Sequence, residues 1–156
     1  MKVEWIPLCA AAALCACGSL AAPDNLCWER TELWCQRIFG CLSPQQLSSP
    51  QISLKTGTSG GSCQSIRGVE CQRLARAWEL GHIRHDEALA RTCLEDARRA
   101  LTCGVIRHEH GLAIAGDQEE YQAWLTITEN APDSACARAT ACAGGGDLPA
   151  CLPGAP

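Results

Sequence analysis

Thirteen cysteines in 156 residues, with no Cys-x-x-Cys anywhere, constrain this chain more than any other feature. Structural zinc sites draw their thiolates from such close pairs, and dithiol redox centres need them as well. A chain this rich in cysteine without them points to an oxidising compartment, where thiols pair as disulfides. Thirteen is odd, so at least one cysteine must leave with a leader, carry a modification, or stay unpaired.

The N-terminal stretch supplies the missing parity. Lys2 precedes an apolar run from Trp5 to Ala16, broken by Pro7 and followed by small residues. The run is shorter than the roughly 20 residues of a spanning helix and reads as an export signal. Leu14-Cys15-Ala16-Cys17 resembles the lipobox of bacterial lipoproteins, with Cys15 where a small non-thiol residue is usual. By that resemblance residues 1–16 are a signal peptide, Cys17 is the lipidated first mature residue and 17–24 a tether. The alternative is plain secretion, with cleavage after Ser19-Leu20-Ala21. Either way ten cysteines remain for bridges: Cys27, Cys35, Cys41, Cys63, Cys71, Cys93, Cys103, Cys136, Cys142 and Cys151.

A mature chain of about 135–140 residues is one domain's worth. Aromatic residues make up 4% of the chain, so the core is thin and disulfides must supply much of the stability. The net charge of −4 gives no basis for nucleic-acid binding. No cofactor-binding motif stands out, and the expected cofactor complement is none.

The periodicity is helical. Cys27, Thr31, Trp34, Cys35, Ile38 and Leu42 share one face of a first helix, with Asp24 as its cap and Gly40 near its stop. The Ser/Gly/Pro-rich stretch 43–62 reads as a loop with a brief alternation at Ile52 and Leu54. A second helix runs from Ser62 to Leu80, and a third follows Asp86 to Cys103. Residues 104–116 are ambiguous between loop and strand, and Asp117 to Glu120 resemble a capping box opening a fourth helix. The expected fold is all-α: a small disulfide-stapled helical domain over 25–130, built around an αα-hairpin, with an irregular Cys/Gly/Pro-rich tail over 131–156.

In Cys63-x7-Cys71 and Cys93-x9-Cys103 the outer pair, Cys63 and Cys103, and the inner pair, Cys71 and Cys93, are both centred near residue 82 or 83, where Gly81 and Asp86 place the turn. Folding the second and third helices there predicts bridges Cys71–Cys93 and Cys63–Cys103. The helical steps between cysteines, about 12 and 15 Å, nearly match. Such a unit resembles the twin-Cys hairpins of the CHCH type. The other six cysteines then divide into three before and three after the hairpin, which predicts at least one bridge from the first helix to the tail. Over "CQRLARAWELGHIRHDEALARTCLEDARRALTC" and the tail "SACARATACAGGGDLPACLPG" the chain resembles uncharacterised cysteine-rich bacterial lipoproteins of the myxobacterial type. That resemblance implies export and disulfides and supplies no activity.

Candidate chemistry is sparse. "GTSGG" matches a Gly-x-Ser-x-Gly elbow at Ser59, but such an elbow needs a strand before it within an α/β sheet. A flexible loop is the better reading. His82, His85, His108 and His110 form two close pairs that could hold Zn²⁺ or Cu²⁺ with Asp86 or Glu109, though "HEHGL" is not a zinc-protease motif. The adjacent acids Asp86-Glu87, Glu95-Asp96 and Glu119-Glu120 do not face one another on helices. The expectation is a non-catalytic envelope module with a membrane contact through its lipid and an envelope protein or glycan as partner. A metal-binding protein and a small secreted hydrolase are the alternatives.

Overall fold

The computed structural model describes residues 19–128 and 131–154; the expected signal peptide and Cys17 lie outside them. Among the described residues the chain forms ten helices and a two-stranded sheet, all-α in class and stapled by five disulfides. No described helix is long and apolar enough to cross a membrane.

α1 (Pro23–Cys41) opens with proline in its first turn, where the missing N–H costs nothing. Its cap is Ala22, without a side-chain bond, so Asp24 is a first-turn carboxylate and not the cap. The helix continues through Gly40 for one more residue. The stretch expected as loop holds two short helices, α2 (Pro44–Leu47) and α3 (Pro50–Thr56), each begun by Ser-Pro. Proline's fixed φ favours a helix start there, and α3 turns Ile52 into the core.

The expected second helix is two, α4 (Gly60–Arg67) and α5 (Val69–Glu79), divided at Gly68. Strand β1 (Ile83–His85) comes next, then α6 (Glu87–Ala100), where the Asp86 side chain accepts from Leu89 N at 3.0 Å as its sequence position predicts. The first half of the ambiguous segment is helical, in α7 (Cys103–Glu109), capped by Thr102. α8 (Asp117–Leu125) follows Gly116, whose positive φ turns the chain. Asp117 forms no capping box; it accepts from Ile114 N and pairs with Arg107.

The tail is more regular than expected. It carries α9 (Ala135–Ala139), β2 (Thr140–Cys142) and α10 (Leu148–Cys151). β2 pairs antiparallel with β1, Ile83 opposite Cys142 and His85 opposite Thr140.

Both hairpin bridges predicted from spacing are corrected. The observed pairs are Cys27–Cys71, Cys35–Cys63, Cys41–Cys103, Cys93–Cys136 and Cys142–Cys151. A doubly stapled antiparallel helix pair exists, but α1 is the partner of α4 and α5. Cys27 and Cys35 are as far apart as Cys63 and Cys71, so both helices advance about 12 Å between staples and neither must tilt. No bridge joins the first helix to the tail. All three α1 cysteines bond to the middle of the chain, while Cys136 ties the tail to α6 and Cys142 closes on Cys151.

The apolar interior is divided in three. Trp34, Ile38, Leu42, Ile52, Ala97, Leu101, Val105, Ile106 and Trp124 form the main cluster. Leu20, Leu26, Ala90, Cys93, Leu94, Cys136 and Ala139 form a second around the α6–α9 contact. Ala77, Ile83 and Leu152 form a third under α10, joined by Leu74 and Leu148.

Candidate functional site, a cleft along the first helix

A cleft of about 460 Å³ is lined by members of all three clusters. Its floor is one face of α1: Pro23, Leu26, Cys27, Arg30, Thr31 and Trp34, at the three-to-four spacing that puts residues on one stripe. These positions span about 16 Å of helix. The same stripe carries Cys27, so the staple to Cys71 fixes one wall against the floor.

The two ends differ chemically. Toward Pro23 the lining is mainly apolar, with Leu26, Leu74, Leu148, Pro149 and Leu152, and the Glu70 carboxylate enters it beside Cys71. Toward Trp34 it includes Arg30, Arg67, Glu109 and Trp124. The Trp34 and Trp124 rings are tilted neighbours with centroids 6.3 Å apart. The Arg67 guanidinium lies 4.6 Å from the Trp34 ring centroid, a cation–π contact. Arg67 is an exposed residue by surface area, yet enough protein surrounds its charged end to lower its pKa by desolvation, with Arg30 adding and Glu109 opposing. Desolvation raises the Glu109 carboxyl, against Arg67, His108 and a hydrogen bond from Trp124. Among the described residues the Trp34 Nε1–H is buried without a partner, in a residue 6% exposed.

The residues singled out by motif lie elsewhere. Ser59 is the N-cap of α4: its hydroxyl accepts from Ser62 N at 3.2 Å, and Ser62 Oγ accepts from Ser59 N at 2.9 Å. That reciprocal cap explains the Gly-x-Ser-x-Gly pattern, with a helix α3 before it in place of the strand an elbow requires. The histidines are not gathered. His82 is exposed. His85 Nε2 donates to the Leu20 carbonyl at 2.8 Å while Nδ1 pairs with the Thr140 hydroxyl at 3.0 Å, tying the N-terminal segment to the sheet. His108 stacks on Tyr121 and pairs through Nε2 with Gln118 at 2.8 Å. His110 has a buried Nε2 with no partner among the described residues, and desolvation lowers its pKa, helped by Lys55 and Arg67. Among the described residues no three His, Cys, Asp or Glu side chains are placed to hold a metal ion.

Four of the six paired acids have separate partners of their own. Asp86 caps α6, Glu87 pairs with Arg91, and Asp96 with Arg99. Glu120 accepts from Thr102 Oγ1 and, at 3.1 Å, from Gly104 N. Arg67 and the cleft have no short motif: Arg67, Glu109 and Trp124 are brought together from separate segments, and only the α1 stripe was visible as a periodic face. Comparison of the chain with protein-family models, with curated proteins and with solved structures finds no match.

Proposed function

We propose that the protein is an exported, non-catalytic binding module, tethered to a bacterial envelope by lipid on Cys17, with the α1 cleft as its binding site. The observation carrying this reading is the cleft itself: a volume within the roughly 300–1,000 Å³ of small-molecule sites, with apolar walls and the charged side chains of Arg30, Arg67, Glu70 and Glu109 on the same lining. Disulfides from α1 to α4, α5 and α7 hold its walls in place. A preset cavity limits the ordering cost of binding. Five bridges also suit the oxidising compartment that the leader implies.

Two measurements test it. Intact-mass analysis of the membrane fraction should find an N-terminus at Cys17 bearing acyl mass, and Cys17→Ala should release the protein; an unmodified N-terminus at Ala22 overturns the tether. Ligand-observed NMR with a fragment library should give hits on the oxidised protein that Leu74→Trp, which fills the cleft, removes. Hits that persist in Leu74→Trp, or none in the parent, overturn the binding site.

A further inference from the structure

The cleft is polarised along α1, and that polarity selects among ligands. Leu74, Leu148 and Leu152 stand at the Pro23 end and offer an apolar channel with no charge of their own. At the Trp34 end the Arg67 guanidinium lies over the indole, 4.6 Å from its centroid, with Arg30 and the Glu109 carboxylate lining the same region. A guanidinium stacked on an aromatic face is already oriented, so it loses little freedom when it binds an oxyanion.

Resting on the reading of this cleft as a binding site, we infer that its ligand class is an apolar-chained anion, a medium- to long-chain carboxylate. The carboxylate sits against Arg67 and the chain runs along α1 toward Leu74, Leu148 and Leu152. Each buried CH₂ of such a chain adds to the affinity, and the charge contact sets its direction. A neutral alcohol of equal length keeps the chain term and loses the ionic one. A quaternary ammonium meets Arg30 and Arg67 with like charge and the carboxylates Glu70 and Glu109 with opposite charge, so its titration reads which pair governs the head site.

Calorimetric titration of the oxidised protein with decanoate, decanol and decyltrimethylammonium, below micelle-forming concentrations, separates these terms. Decanoate should bind at least about tenfold more tightly than the other two. Arg67→Gln should bring decanoate to the level of decanol, and Arg67→Lys should fall between. The oxidised thiol count and circular dichroism of each variant establish that it is folded. Equal binding of decanoate and decanol, unchanged in Arg67→Gln, overturns the anionic head while leaving the cleft as a site. Failure of all three amphiphiles while cleft-dependent fragment hits persist overturns the ligand class alone. Failure of both overturns the site with it.

Discussion

The indole of Trp28 lies over Gly68 so closely that a Cβ at position 68 would meet its Cη2 at 2.1 Å and its Cζ3 at 2.3 Å. Gly68 is the break between α4 and α5, midway between the two staples to α1. The bridges leave that helix pair no freedom to slide apart, so an added methyl has to displace the ring. Gly68→Ala is therefore expected to destabilise by roughly 1–3 kcal/mol, the usual range for overpacking. Trp28→Ala in the same chain should recover part of the loss, because the Gln64 carbonyl at 2.7 Å remains. A double-mutant cycle by urea denaturation reads the coupling; additive losses would show that the ring is not the obstacle.

The five bridges should contribute unequally. Cys27–Cys71 closes a separation of 44 residues, and Cys142–Cys151 one of 9. In the chain-entropy account, paired alanine replacement costs roughly 4 kcal/mol at the first and roughly 2.5–3 at the second. Denaturant midpoints of the two double variants check the order. Non-reducing peptide mapping should return Cys71 joined to Cys27, never to Cys93.

Truncation at Ala131 removes Cys136 and strand β2 together. The thiol it exposes should be Cys93 on α6, with Cys27, Cys35 and Cys41 still bonded. β1 also loses its partner, and Asp86 N loses the Ala139 carbonyl that accepts from it at 2.8 Å. Alkylation with mass mapping identifies the free cysteine, and the melting temperature should fall. A melt unchanged by the truncation would contradict the packing of α9 on α6.

Acid should destabilise the protein in two steps. Asp117 is buried and receives two hydrogen bonds from Arg107, which hold its pKa at about 2 against an ordinary 3.8. A folded pKa below the unfolded one means stability present above 3.8 and lost as pH falls toward about 2. His110 acts earlier: its lowered folded pKa makes protonation favour the unfolded chain as pH falls below 6.5. Asp117→Asn should flatten the lower part of the pH–stability curve and His110→Gln the upper part. Chemical denaturation across pH 2–7 measures both.

Ser59→Ala should act as the loss of a helix cap, at about 1 kcal/mol, and Ser59→Gly should cost less. A serine-directed phosphonylating reagent should leave the parent mass unchanged. Stoichiometric labelling at Ser59 would instead place a nucleophile there.

The helices were legible where local chemistry decides them. The apolar stripe of α1 and the Asp86 cap of α6 follow from periodicity and one side chain. The bridge pattern failed for a different reason. Two cysteine spacings on either side of a turn, eight and ten positions, were preferred for being adjacent in the chain; the matched spacings of α1 and α4–α5 are interrupted by α2 and α3. Equal spacing was the better criterion, because antiparallel helices advance equally per residue. α7 was hidden by its glycine. Gly104 reads as a helix breaker, but a Cβ there would meet Glu120 Oε2 at 2.1 Å and Asp117 Oδ1 at 2.9 Å, so close approach to α8 requires it. The cleft was not legible, since its charged end is assembled from α4, α7 and α8 by contacts no local pattern encodes.

The bridges also set how tension would travel through the molecule if its N-terminus were held and its C-terminal end pulled. The shortest covalent route enters at Cys27, crosses to Cys71, follows the backbone to Cys93 and crosses again to Cys136. A second route of similar length runs along α1 to Cys41, across to Cys103 and back to Cys93. Arg67, Glu109 and Trp124 lie on neither. Load would be borne by sulfur links and by the segments between them, and the backbone that presents those three side chains would stay slack.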